Sequence, residues 1–186
     1  AQMAHLSSRT LSLKAAFAYE ELRRTLAEAS TSKEDETARV QATLTYALER
    51  MFETIGHDRG NAEHLLALAS LYELLVPFNI PEAHQKATET LDAARAFSPM
   101  DPSIHLRLAR LAGMKEDYVR VRQEVEKALA LKPNYTDAIL YLVQVEVARQ
   151  NLPAAIEAAT AALSTAPQNP SLWFELGLLH YTSANM

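Results

Sequence analysis

The chain is predicted to be all-α, a solenoid of stacked antiparallel helix hairpins, on three observations. A set of positions returns every 34 residues: Ala94, Ala128 and Ala162, and likewise Pro99, Pro133 and Pro167. The same step joins Ala87, Val121 and Ala155; Leu91, Val125 and Ala159; Leu108, Leu142 and Leu176; and Ala109, Val143 and Gly177. Between these markers the apolar residues follow helical spacing. The composition agrees, with only four Gly in 186 residues and 48% apolar residues, a mixture rich in good helix formers. A repeat of this length cannot bury its apolar face alone, so copies stack.

The first helix is expected over 6–29, where Leu11, Leu13, Ala15, Phe17, Ala18, Leu22, Leu26 and Ala29 form a broad stripe with Glu20, Glu21, Arg23 and Arg24 mostly off it. The stretch 30–36 breaks the pattern. Ser32 is the expected N-cap of a second helix over 34–55, with acidic residues in its first turn and Gly56 as its C-cap. As an acidic metal loop the stretch fails, lacking the spaced oxygen ligands and central Gly of a calcium loop. Ala47, Met51 and Thr54 occupy the offsets that hold small or apolar residues in later hairpins, so 1–61 is read as a divergent first hairpin. The array then runs over 62–186, with units at 62–101, 102–135 and 136–169 and a partial one at 170–186.

The 62–101 unit has its opening helix over 62–75, its second helix after Pro81, and an insertion at Val76–Pro81 that shifts its halves by six residues. There Phe78 and Ile80 either fold back over the hairpin or form an interaction edge. In the next two units Asp101 with Pro102, and Asn169 with Pro170, supply a cap followed by Pro at the first helical position. Gly113 and the Asn151-Leu152-Pro153 run mark the turns between helices. Ala109 and Gly177 are expected where two helices of a hairpin approach, Ala94, Ala128 and Ala162 where the next hairpin rests, and Trp173 in the core. The last helix lacks a second half within the sequence, which predicts uncovered apolar surface and either a longer chain or a partner.

Leu65, Leu68, Ala69 and Tyr72 in one unit, and Trp173, Leu176, Gly177, His180 and Tyr181 in the last, together with the 34-residue step, resemble the tetratricopeptide repeat (TPR) family. The resemblance implies a right-handed superhelix and a binding scaffold rather than an enzyme. In that family the first helix of each unit lines a concave groove. Carried across, the groove positions are Leu66 and Ser70; Leu106, Arg107 and Arg110; Leu140, Tyr141 and Gln144; and Phe174, Leu178 and Tyr181. Hairpin packing could instead bury Leu66, Leu106 and Leu140. Chaperone-binding members hold a C-terminal carboxylate with Lys and Asn, but the corresponding pairs here are Leu66/Ser70, Leu106/Arg110 and Leu140/Gln144. Binding of chaperone tails is therefore not implied. The runs 71–83, 132–138 and 172–178 also resemble, more generically, the C-terminal repeat regions of bacterial O-antigen ligase/polymerase-type membrane proteins.

Other functions find little support. The net charge of −5 opposes a general attraction to nucleic acid or anionic lipid. No cysteine is present for thiolate metal sites or disulfides. No apolar run reaches the length of a membrane span, and the first residues lack the pattern of a signal peptide. No Walker loop, nucleophile elbow, zinc-protease motif or dinucleotide fingerprint occurs. His57 and His64 read as surface residues, and the pairs Glu20/Glu21 and Glu124/Glu126 as solvated faces. Asn134-Tyr135-Thr136 fits a glycosylation triplet, a weak signal in isolation. The expectation is a non-catalytic scaffold with a protein or peptide partner and no cofactor or metal. Two alternatives stand beside it: an accessory domain of a bacterial membrane glycan enzyme, and a module that self-associates through the last helix.

Overall fold

The computed structural model describes residues 2–28, 34–58 and 60–184, with side chains over 10–28, 38–58, 60–164 and 166–184. Among these residues there are helices and turns but no strands. The chain divides into two compact units, Ala1–Ser98 and Pro99–Met186.

The first unit holds α1 (Gln2–Glu28), α2 (Glu34–His57), α3 (Ala62–Leu75) and α4 (Ala83–Phe97). α1 packs on α2 and α3 on α4 as hairpins, and both α1 and α2 touch α3. α1 buries Ala15, Ala18, Leu22 and Leu26, while α2 buries Ala47, Met51 and Thr54. The α1 stripe is narrower than expected: Leu13 and Phe17 are 66% and 69% exposed. Helical rotation of about 100° per residue carries them off the face that Ala15, Ala18 and Leu22 define. Gly56 lies inside α2 and does not cap it, since the helix continues to His57. The proposed cap Ser32 lies outside the described residues. Asn61 starts α3 by accepting the Glu63 N–H at 2.9 Å. After α3, the insertion forms a 3-10 turn over Val76–Phe78 with Pro77 near its start. Asn79 and Glu82 then take left-handed conformations, φ 53° and 62°, which turn the chain into α4. Phe78 is 48% exposed, so it does not plug the hairpin, whereas Ile80 is half-buried.

The second unit holds α5 (Pro102–Met114), α6 (Tyr118–Leu131), α7 (Thr136–Ala148), α8 (Leu152–Thr165) and α9 (Pro170–Ala184). Asp101 caps α5 by accepting the Ser103 N–H at 2.8 Å, and Asn169 caps α9 through the Ser171 N–H at 3.0 Å. Each is followed by the expected Pro, whose missing N–H costs nothing at that place. Asp117 caps α6 through the Arg120 N–H. The turns between helices use Glu116 and Gln150 in left-handed conformations, φ 57° and 59°. Gly113 therefore sits in the last turn of α5 rather than in the connection, and Leu152 and Pro153 already belong to α8. The Asn169 amide also donates to Thr136 Oγ1 at 2.8 Å, joining the starts of α7 and α9.

Of the alanines that the 34-residue step singles out in this unit, Ala109, Ala128 and Ala162 are buried in shared cores. Ala109, Ala112, Ala128 and Ala138 share one core with Leu106, Val121 and Val125. With side chains that stop at Cβ, α5, α6 and α7 can draw together at the short end of the 8–10 Å range of helix packing. Val143, Leu152, Ala155, Ala159 and Leu179 form a second core across α7, α8 and α9. Ile139, Ala162, Leu163 and Leu172 form a third. Ala94, in the first unit, is fully buried. Gly177 departs from expectation: a methyl placed there would meet no atom within 4 Å, so it is not a point of close approach. Trp173 is not core either. It is 56% exposed, and its indole N–H donates to the Pro167 carbonyl at 2.8 Å.

Candidate functional site

In the second unit α5 and α7 bring three of the predicted groove positions together. Tyr141 packs against the core that contains Leu106, and its hydroxyl donates to the Ala109 carbonyl at 3.3 Å. The Arg110 guanidinium lies 5.9 Å from the Tyr141 ring centre, within range of a cation–π contact. Burial raises the Tyr141 phenol above its usual range, with the nearby Arg110 charge pulling the other way, so it stays a neutral hydrogen-bonding group. Leu106 is only 3% exposed and supports this surface from beneath. Arg107 is half-buried, while Arg110 and Gln144 are exposed. The result is a surface on which an exposed guanidinium lies over an aromatic ring seated in the core.

The remaining positions lie elsewhere. Leu140 is half-buried against the Ile139–Leu172 core. On α9, Phe174, Leu178 and Tyr181 are 72%, 48% and 70% exposed. In the first unit Leu66 and Ser70 are half-buried, and the Ser70 hydroxyl donates to the Leu66 carbonyl at 2.9 Å.

Ser70 also lines a feature the sequence did not disclose, a cleft of about 420 Å³ between α1, α2 and α3. Its lining includes Ser12, Ala15, Ala16, Tyr19, Glu20, Met51, Thr54, Glu63, His64 and Ala67. His64, expected on the surface, is 8% exposed, and its Nε2 lies 3.2 Å from Ser12 Oγ. Helical spacing on α3 alone puts His64 one turn before Leu68, on a buried face. That signal is present in the sequence but is masked by the neighbouring turn. The Ser12 partner lies 52 residues away, beyond any local pattern. No group of three or more His, Asp or Glu side chains gathers at metal-binding distance among the described residues.

Glu124 is a further correction. Far from facing solvent, it is 5% exposed and accepts the His105 Nδ1–H at 2.7 Å and the Lys127 ammonium at 2.7 Å. Glu146, 2% exposed, is held by Arg122 at 2.6 Å, Arg149 at 3.2 Å and the Asn151 amide at 3.0 Å. The first ties α5 to α6 within one hairpin, and the second ties α6 to α7 across neighbouring hairpins.

No family model matches the sequence, and no curated protein matches it. Solved structures do. A thermophilic TPR protein of Thermus thermophilus aligns over 97% of this chain and 98% of its own, at 18% identity and a TM-score of 0.61. The fold is the tetratricopeptide-repeat fold. YrrB, described as a TPR protein with an unusual peptide-binding site, aligns over 81% of this chain and 76% of its own at 14% identity and TM-score 0.52. The first TPR of Spaghetti (RPAP3), bound to the HSP90 peptide SRMEEVD, aligns over 67% of this chain and 98% of its own at 18% identity and TM-score 0.51. These TPR structures lend no support to the resemblance to O-antigen ligases. No helix among the described residues is long and apolar enough to cross a membrane.

Proposed function

We propose that the chain is a non-catalytic scaffold that binds an acidic protein segment through the α5–α7 surface of its second unit. The observation that carries this is Arg110 stacked over the half-buried Tyr141, beside Arg107 and Gln144. A ring anchored in the core holds one guanidinium in place, so less side-chain freedom is lost when a carboxylate is gripped. The peptide bound to the RPAP3 repeat contains two Glu and one Asp, which fits the same chemistry on the same fold. The Lys and Asn of the chaperone clamp are replaced here, so an internal acidic stretch suits this surface better than a free C-terminal tail. The test is titration of Glu-rich and Lys-rich peptides of matched length. Arg107→Glu with Arg110→Glu should weaken the Glu-rich peptide by at least about tenfold, the scale of one lost charge-assisted contact, while helicity is retained. Equal affinity before and after would reject the surface.

A second reading, self-association through α9, is favoured by the exposure of Trp173, Phe174, Leu178 and Tyr181 along that helix. Aromatic residues in such numbers on one helix are characteristic of interface centres. Light scattering decides it: a dimer that Leu178→Glu and Tyr181→Glu convert to monomer supports the reading, and a wild-type monomer at high concentration removes it.

A further inference from the structure

We infer that the cleft between α1, α2 and α3 receives a lysine or arginine side chain of a protein partner, giving the first unit a site of opposite sign to the Arg107/Arg110 surface of the second. The inference rests on the reading of the chain as a peptide-binding scaffold. Its first support is shape. Ala15, Ala16 and Ala67 contribute nothing beyond Cβ, and the hollow they leave has a volume of about 420 Å³, ample for one long side chain and the ordered water around it. Its second is the floor. Met51 and Thr54 are each 3% exposed, and the Thr54 hydroxyl is already spent on the Arg50 carbonyl at 2.8 Å, so an incoming group meets apolar surface. Apolar walls suit the methylene stem of Lys or Arg.

The third support is charge. Glu20 and Glu63 belong to the lining, which contains no Lys or Arg among the described residues. Glu20 is partly engaged by Arg23 at 2.8 Å. The Glu63 side chain makes no ion pair or hydrogen bond among the described residues. An acidic guest would be repelled, and an apolar one would strip water from a carboxylate without replacing it. A cation alone satisfies both floor and rim.

The experiment uses the full chain and short peptides of one common sequence bearing Lys, Arg, norleucine or Glu at a single position, with cadaverine as a free-amine control. Lys and Arg should be preferred over norleucine by about tenfold, and Glu should bind most weakly. Glu63→Gln and Ala67→Leu, the second filling the cleft, should each erase that preference, whereas Arg107→Glu with Arg110→Glu should leave it. Glu63 is exposed and caps nothing through its side chain, so Glu63→Gln decides the matter even if Ala67→Leu perturbs folding. Binding without a preference for cations, a preference that survives Glu63→Gln, or cadaverine binding as tightly as the peptides would overturn the inference alone. Binding by none of the peptides would overturn the scaffold reading with it.

Discussion

Gly113 shows how one residue can be fixed by a partner on another helix. Within a helix, replacing Gly by Ala ordinarily gains up to about 1 kcal/mol, and less in a last turn such as this one. Here a methyl on Gly113 would collide with the Tyr141 hydroxyl, and Val121 lies close behind at 3.7 Å. Tyr141 could make room only by giving up the Ala109 carbonyl and its place under Arg110. Gly113→Ala should therefore destabilise the protein, by roughly 1 kcal/mol net of the propensity gain. In a Tyr141→Phe background the same change should become neutral or stabilising. Chemical denaturation of the four members of this cycle checks it, and a coupling near zero would show that the ring moves freely. The period predicts a small residue at a turn but not this reason for it. Trp173 fails similarly: its position in the repeat was legible, yet a Trp is core only where a neighbouring helix covers it. Gly177 is bare for the same cause.

Within the hairpins, caps and prolines were readable because their signals are local. Asp101-Pro102 and Asn169-Pro170 each decide a helix start within a few residues. Polar ties between helices were not readable, since Glu124 depends on His105 across the α5–α6 hairpin, 19 residues away. The groove set met the same limit: Leu106 has the family's offset, but only the packing of α7 on α5 shows that Tyr141 covers it. Glu124 yields a prediction about pH. Burial alone would raise its pKa, but hydrogen bonds from His105 and Lys127 and the charge of Lys127 outweigh it, and the pKa is lowered. A carboxyl whose pKa falls on folding contributes stability above its unfolded value, and that contribution is lost as pH drops through its folded value. Glu124→Gln should thus cost about 1.5–3 kcal/mol near neutral pH, the range for hydrogen bonds to charged groups. The gap between wild type and variant should close on acidification through and below the ordinary glutamate range of about 4.3. Urea midpoints measured across that range test the sign; a gap that widens toward low pH contradicts it.

At the scale of the molecule, stacked hairpins make stability a matter of neighbours. Each core in the second unit is shared by elements close in sequence: Val143, Leu152, Ala155, Ala159 and Leu179 link α7, α8 and α9, while Leu106, Ala109, Val121 and Val125 link α5 and α6. A globule with one centre would spread damage everywhere, whereas an array confines it. α9 buries only Leu172 and Leu179, so its hold on the unit is the weakest of the five helices. Leu179→Ala removes a side chain that is 3% exposed, a change that costs about 2–5 kcal/mol in a packed site. The loss should fall on α9 and α8, with a smaller share on α7 around Val143. Native-state hydrogen exchange resolves this element by element. Amides of α8 and α9 should exchange faster by a factor that reflects the full cost, and those of the α5–α6 hairpin should keep most of their protection. Equal loss in all five helices would mean that the unit opens in one step, and the nearest-neighbour account of its energetics would have to be abandoned.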